Sequence, residues 1–144
     1  LALRVIKLAI KRLGQSVDAA GVTGDFDFTA LGQEMSRLMD DREHNRALDR
    51  LWEGINKVNA YLNDHEPWRI KDDEAKFKQY IYNGLYSIHC FATLATAFIP
   101  DAAGKTLKML GTEQAGVAGL KFGAHHFKFG EPESLFPKIE TAKP

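Results

Sequence analysis

The sequence predicts an all-α fold, an antiparallel helical bundle of about four to five helices with an irregular C-terminal tail. Apolar residues recur every three or four positions through most of residues 1–110, the signature of helices with one buried face. Proline, glycine and short polar runs interrupt that period, and the connections are short enough to set neighbouring helices antiparallel. Beyond Gly111 the chain is rich in glycine and proline and no 3.6-residue period lasts more than a turn. The division is therefore 1–110 for the bundle and 111–144 for a tail whose Leu135, Phe136 and Ile139 pack back on the bundle or on a neighbouring domain.

The first helix is read from LALRVIKLAIKRL, where Leu1, Val5, Leu8, Ala9 and Leu13 form one face and Leu3, Ile6 and Ile10 widen it. Arg4, Lys7 and Lys11, spaced by three and four, line up on the remaining side as a basic stripe. Residues 14–28, with three glycines and three aspartates, read as a loop. Thr29 is placed as the cap of a second helix through Leu31, Met35, Leu38 and Met39, with a polar break over residues 40–45. The third helix has the clearest period: Leu48, Leu51, Trp52, Ile55, Val58 and Leu62 share a face. It ends near His65, because the residue before Pro67 is biased away from helical geometry. Asp72 or Asp73 caps a fourth helix from Phe77 to Ile99, apolar on more than one side and hence central. Pro100 opens a short fifth helix, and Gly111 stops it.

The 144 residues are enough for one domain with a real core. Nineteen basic and nineteen acidic residues give zero formal net charge, which argues against a surface that coats DNA. Any nucleic-acid contact must be local. The single cysteine, Cys90, excludes an intramolecular disulfide framework and a multi-cysteine zinc site, and fits a reducing, cytoplasmic setting. Charges break up the opening apolar segment, so it is neither a membrane span nor a targeting core. A piece of a longer protein is the reading that suits its start at Leu1.

Few residues carry chemistry. His125 and His126 are adjacent, diverge on any regular element and have no companion at ligand spacing, so they predict no metal site. His89 and Cys90 point about 100° apart on a helix in an apolar setting, which reads as a buried thiol. No phosphate-cradling loop is present, and the segment carries no catalytic residues of its own. Trp68 is more informative, since it follows Pro67 and precedes Arg69, Lys71, Asp72 and Asp73. It either closes the end of the bundle or offers a platform for an unstacked RNA base. The Arg4, Lys7, Lys11 stripe reads equally as a solvated face or as a set of backbone phosphate contacts, with Lys7 and Lys11 assigned to phosphates.

Specific stretches then narrow the reading. LWEGINKVNAYLNDHEPW (51–68), AFIP (97–100), Leu110-Gly111 and LFPKIE (135–140) fall in an order and spacing that resemble the anticodon-binding domain of methionyl-tRNA synthetases. The opening LALR is similar to the start of that domain's first helix. The resemblance spans nearly the whole chain, and its N-x-Y-L…P-W element is fairly specific. It implies a helical bundle that recognises the CAU anticodon of elongator and initiator methionine tRNAs, with Trp68 stacked on the first anticodon base beside Pro67 and Arg4 hydrogen-bonding in the same pocket. The family's companion asparagine falls immediately before Leu1. Departures are Ala97 where the family often has proline and Lys138 where it usually has arginine. The HIGH and KMSKS signatures are absent. The resemblance therefore assigns ATP, and any zinc, to an upstream catalytic domain of the same parent ligase, a partner of this segment. The runner-up is a protein interaction module that binds through the tail and Phe127, Phe129 and Phe136 without RNA.

Overall fold

The computed structural model describes residues 2–112 and 127–130, with side chains from Arg4 onward. Five helices follow in chain order: α1 (Ala2–Leu13), α2 (Thr29–Asp40), α3 (His44–His65), α4 (Glu74–Ala95) and α5 (Pro100–Leu110). Two-residue strands β1 (Ser16–Val17) and β2 (Phe127–Lys128) pair antiparallel, Val17 opposite Phe127. The all-α bundle is as the sequence predicts.

The fourth helix is the hub, packed by α1, α3 and α5, and every residue from Ile81 to Thr93 is buried. Its start is fixed by Asp73, whose carboxylate accepts the Lys76 N–H at 3.0 Å. In α1 the residues Val5, Ile6 and Ala9 are buried and Leu8, Ile10 and Leu13 pack against the core, while Arg4, Lys7 and Lys11 face solvent. Pro100 occupies the first turn of α5, where its missing N–H costs nothing. Gly111 closes that helix at φ +70°, and a Cβ there would lie 1.9 Å from the Lys128 carbonyl oxygen. Only glycine lets β2 pass so close.

Three expectations are corrected. Trp52, assigned to the apolar face of α3, is 55% exposed. The buried stripe runs instead through Ala47, Leu51, Gly54, Val58 and Leu62, because Gly54 gives room to the Phe91 ring, 3.1 Å from where a Cβ would sit. Trp52 lies about 100° from Leu51 on the helix and points away. Thr29 is not the cap of α2: Phe28 precedes the helix without a capping bond, and Asp27 accepts the Thr29 N–H at 2.9 Å. The third concerns the glycine-rich segments, each read without regular structure, which meet in the β1–β2 pair. Their two-residue strands are too short to show alternation. Phe127 is fully buried and Phe129 nearly so, hence two of the three phenylalanines offered to a partner are used in this chain's own core. Phe136, Leu135, Ile139 and the His125-His126 pair lie outside the described residues.

Candidate nucleic-acid interface

The chain leaves α3 through a strained residue. Glu66, unable to stay helical before a proline, sits in the left-handed region at φ +44° while its N–H still bonds the Leu62 carbonyl at 2.9 Å. Such a conformation costs a non-glycine residue about 1–2 kcal/mol. It turns Pro67, Trp68 and Arg69 into one turn of 3-10 helix aimed back towards α1. Pro67 is buried and Trp68 half-buried against the core.

From the opposite side α1 supplies two arginines. The Arg4 guanidinium carbon lies 4.1 Å from the centroid of the Trp68 ring, in stacking position. Arg12, two turns further along, donates to the Ile70 carbonyl just past the turn, covers the Phe77 ring at 3.9 Å and stands 3.6 Å from Glu74. It ties α1 to the segment that carries Trp68. Arg4 and Trp68 border a cleft of about 230 Å³ whose other walls include Leu8, Asn59, Asn63 and Pro67. That is smaller than the roughly 300–1,000 Å³ of a pocket for drug-sized ligands, and suits one planar ring.

The structure thus gathers Arg4, Pro67 and Trp68 at one site. The indole packs against the core on one side, as the end-closing reading expects, and its ring face carries Arg4. Lys7 and Lys11 share the exposed side of α1 with Arg4, do not line the cleft, and have no ion-pair partner among the described residues. Sequence reasoning gave no role to Arg12, Asn59 or Asn63, although Asn59 opens the N-x-Y-L element. The asparagines were visible as an i, i+4 pair ending one turn before Pro67-Trp68, whereas the tie from Arg12 to Ile70 spans 58 positions and leaves no local signal.

The other candidates are structural. Burial pushes the Cys90 thiol up to about 12, so it stays protonated and unreactive near neutrality. His89 is buried with its Nδ1 at 2.9 Å from the Thr112 hydroxyl. Among the described residues no three His, Cys, Asp or Glu side chains are grouped to hold a metal ion, and no helix is long and apolar enough to cross a membrane. A wider groove of about 650 Å³ beside α5, lined by Thr96, Pro100, Leu107 and Lys108, offers neither an aromatic face nor a cluster of charges.

The five-helix bundle thus carries, beside its first helix, a cleft at which an arginine guanidinium lies over a tryptophan ring. Residues 25–143 match the family model described as the anticodon binding domain of methionyl tRNA ligase, and the chain belongs to that family. It is 28% identical over 130 residues to the methionine–tRNA ligase of Fusobacterium nucleatum, an alignment covering 81% of this chain and 20% of that protein. The methionine–tRNA ligase of Methanosarcina mazei is 30% identical over 116 residues, 74% of this chain and 16% of that protein. The chain therefore spans about a fifth of such relatives. Among solved structures, the apo form of Mycobacterium tuberculosis methionyl-tRNA synthetase shares the fold with a TM-score of 0.85 at 23% identity, over 98% of this chain and 31% of that one. Another structure of that enzyme, bound by methionyl-adenylate, matches with a TM-score of 0.79 over 94% of this chain and 30% of that one, at 23% identity.

Proposed function

We propose that the cleft between α1 and the Pro67-Trp68 turn reads the CAU anticodon of methionine tRNAs, elongator and initiator. In this reading the module holds the anticodon loop while an upstream catalytic domain of the same parent ligase, working in the cytoplasm with ATP, charges the acceptor end. The observation that carries it is the Arg4 guanidinium stacked on Trp68 at a cleft of single-base size. In the free protein Arg4 holds the place of a base. An exposed cation–π contact is worth about 0.5–1 kcal/mol, whereas a base stacked on an aromatic ring contributes about 1–3 kcal/mol. The exchange is favourable: the first anticodon base takes the ring face and Arg4 moves to its edge, where its donors find acceptors. Lys7 and Lys11, exposed along the same helix side, neutralise loop phosphates.

Trp68→Ala tests this directly. Affinity for a CAU anticodon stem-loop is expected to fall about 5- to 150-fold, the equivalent of one lost stack, with a cooperative melt retained. An unchanged dissociation constant with an unchanged melting curve would remove Trp68 from the interface. The protein-interaction reading is weakened by the burial of Phe127 and Phe129. Equal binding of unrelated partners with and without RNA would revive it.

A further inference from the structure

The turn that carries Trp68 is held from within by short-range bonds: the N–H groups of Glu66, Arg69 and Ile70 donate to the carbonyls of Leu62, Glu66 and Pro67. These fix its shape and leave its orientation against α1 open. It begins at Glu66, φ +44°, and a strained conformation persists only where the surroundings over-determine it. Among the described residues, one hydrogen bond ties residues 66–70 to a distant part of the chain: Arg12 donates to the Ile70 carbonyl, 58 positions away. The same guanidinium covers the buried Phe77 ring at 3.9 Å and stands 3.6 Å from the Glu74 carboxylate, and the Arg12 side chain is only 19% exposed.

Resting on the anticodon reading above, we propose that Arg12 is a positioning residue for RNA binding: it fixes the Pro67-Trp68 turn against α1, so that the indole is preset as a stacking face before RNA arrives. Packing over Phe77 needs only an aliphatic stem, which methionine or lysine also supplies. The planar guanidinium adds donors in a rigid fork, so that one group serves the carbonyl, the carboxylate and the ring face together. Arg4 and Arg12, two turns apart on α1, hold the turn at Trp68 and at Ile70. Their parts differ. Arg4 leaves the ring face when a base takes it, whereas Arg12 does not line the cleft and keeps its bond to Ile70 when the cleft fills. A stack depends on a ring held close to its bound geometry, and presetting that ring removes an ordering cost from binding.

The test compares Arg12→Met, Arg12→Lys and Trp68→Ala with the unaltered chain, well below the melting temperature and in a Trp52→Phe background where Trp68 is the sole tryptophan. In free Arg12→Met the fluorescence anisotropy of Trp68 should fall, a change that a residue serving global stability alone does not produce in the folded protein. Affinity for a labelled CAU stem-loop should drop about 5- to 30-fold, part of the worth of a whole stack. The slope of log affinity against log salt should stay as it was. A slope flatter by about 0.7 would make Arg12 a direct phosphate contact and overturn the inference. Arg12→Lys, which keeps a donor without the rigid fork, should fall between Arg12→Met and the unaltered chain. Unchanged anisotropy and affinity in both variants also overturn the inference, and if Arg12→Met gives no cooperative melt the same result in Arg12→Lys alone does so. If the Arg12 variants bind normally while Trp68→Ala loses binding, Arg12 does not position the turn and the anticodon reading stands. If Trp68→Ala also binds normally, both fall.

Discussion

Two sides of the bundle employ similar polar side chains to opposite ends. Residues 18–28 lie along α4 and consume its polar groups: the Asn83 oxygen accepts the Asp25 N–H at 2.8 Å, and its nitrogen donates to the Thr23 and Gln79 carbonyls. Gln79 exchanges bonds in both directions with Thr23, and Lys78 holds the Asp18 carboxylate and the Ala20 carbonyl. The Tyr86 hydroxyl accepts the Phe28 N–H at 3.1 Å, and Tyr61 donates to Asp25. On the side of α1, Asn59, Asn63, Lys7 and Lys11 have no such bonds among the described residues. Residue type does not separate an amide that the fold engages from one that it leaves open at a cleft. What separates them is whether the fold itself satisfies the group.

The largest effect expected from this contrast is on stability. Asn83→Leu leaves the Asp25 N–H without its side-chain acceptor and removes one of the two donors to the Thr23 carbonyl, which keeps Gln79, and should cost about 1–3 kcal/mol in urea unfolding. The Asn59→Ala, Asn63→Ala pair should cost nothing measurable by the same assay. Equal losses from the two changes would erase the distinction between the two sides.

A smaller effect, confined to binding, is expected from Lys7→Ala with Lys11→Ala. Affinity should drop alike for every loop sequence, and the slope of log affinity against log salt should flatten by about 1.4, two phosphate contacts on a single strand. A changed base preference would mean that these lysines touch bases.

Near neutral pH the smallest effect lies in the core, where it emerges only as pH rises. Burial raises the Cys90 thiol from 9.0 to about 12. The folded state therefore holds this proton where the unfolded chain would release it. The associated stability is complete below pH 9 and is lost as pH rises towards about 12. Over that window unfolding should become easier by up to about 1.4 kcal/mol per pH unit from this group, and Cys90→Ala should lose that part of the slope. Burial also raises Tyr61 and Tyr86, which act in the same direction at higher pH. An identical slope in Cys90→Ala would show that the thiol is not protected.

Much of this was legible in the sequence because helices write their buried faces into local periodicity. The end of α3 before Pro67, the Asp73 cap, the central α4 and the Gly111 stop are all set by neighbours within a few positions. Trp52 was misplaced because hydrophobicity alone ranks tryptophan with the core, while Gly54, which has no side chain to register, is what the packing selects. The β1–β2 pair joins Ser16 to Lys128 and Val17 to Phe127, residues more than a hundred positions apart by their numbers, and no local pattern reports it. Within the cleft, Pro67 and Trp68 announce themselves by an exposed-looking Pro-Trp among charges. The placement of Arg4 over the indole depends on how α1 crosses α3, which spacing cannot supply.

The most direct test of the cleft as a base-reading site is fluorescence titration in a Trp52→Phe background, where Trp68 is the sole tryptophan and Trp52, already solvent-exposed, is replaced at little cost. Addition of a CAU anticodon stem-loop should quench Trp68 saturably, and a UAU loop should do so only at much higher concentration. Binding of the CAU loop, followed independently by anisotropy of a labelled RNA, with no change in Trp68 emission would place the RNA elsewhere and contradict the account.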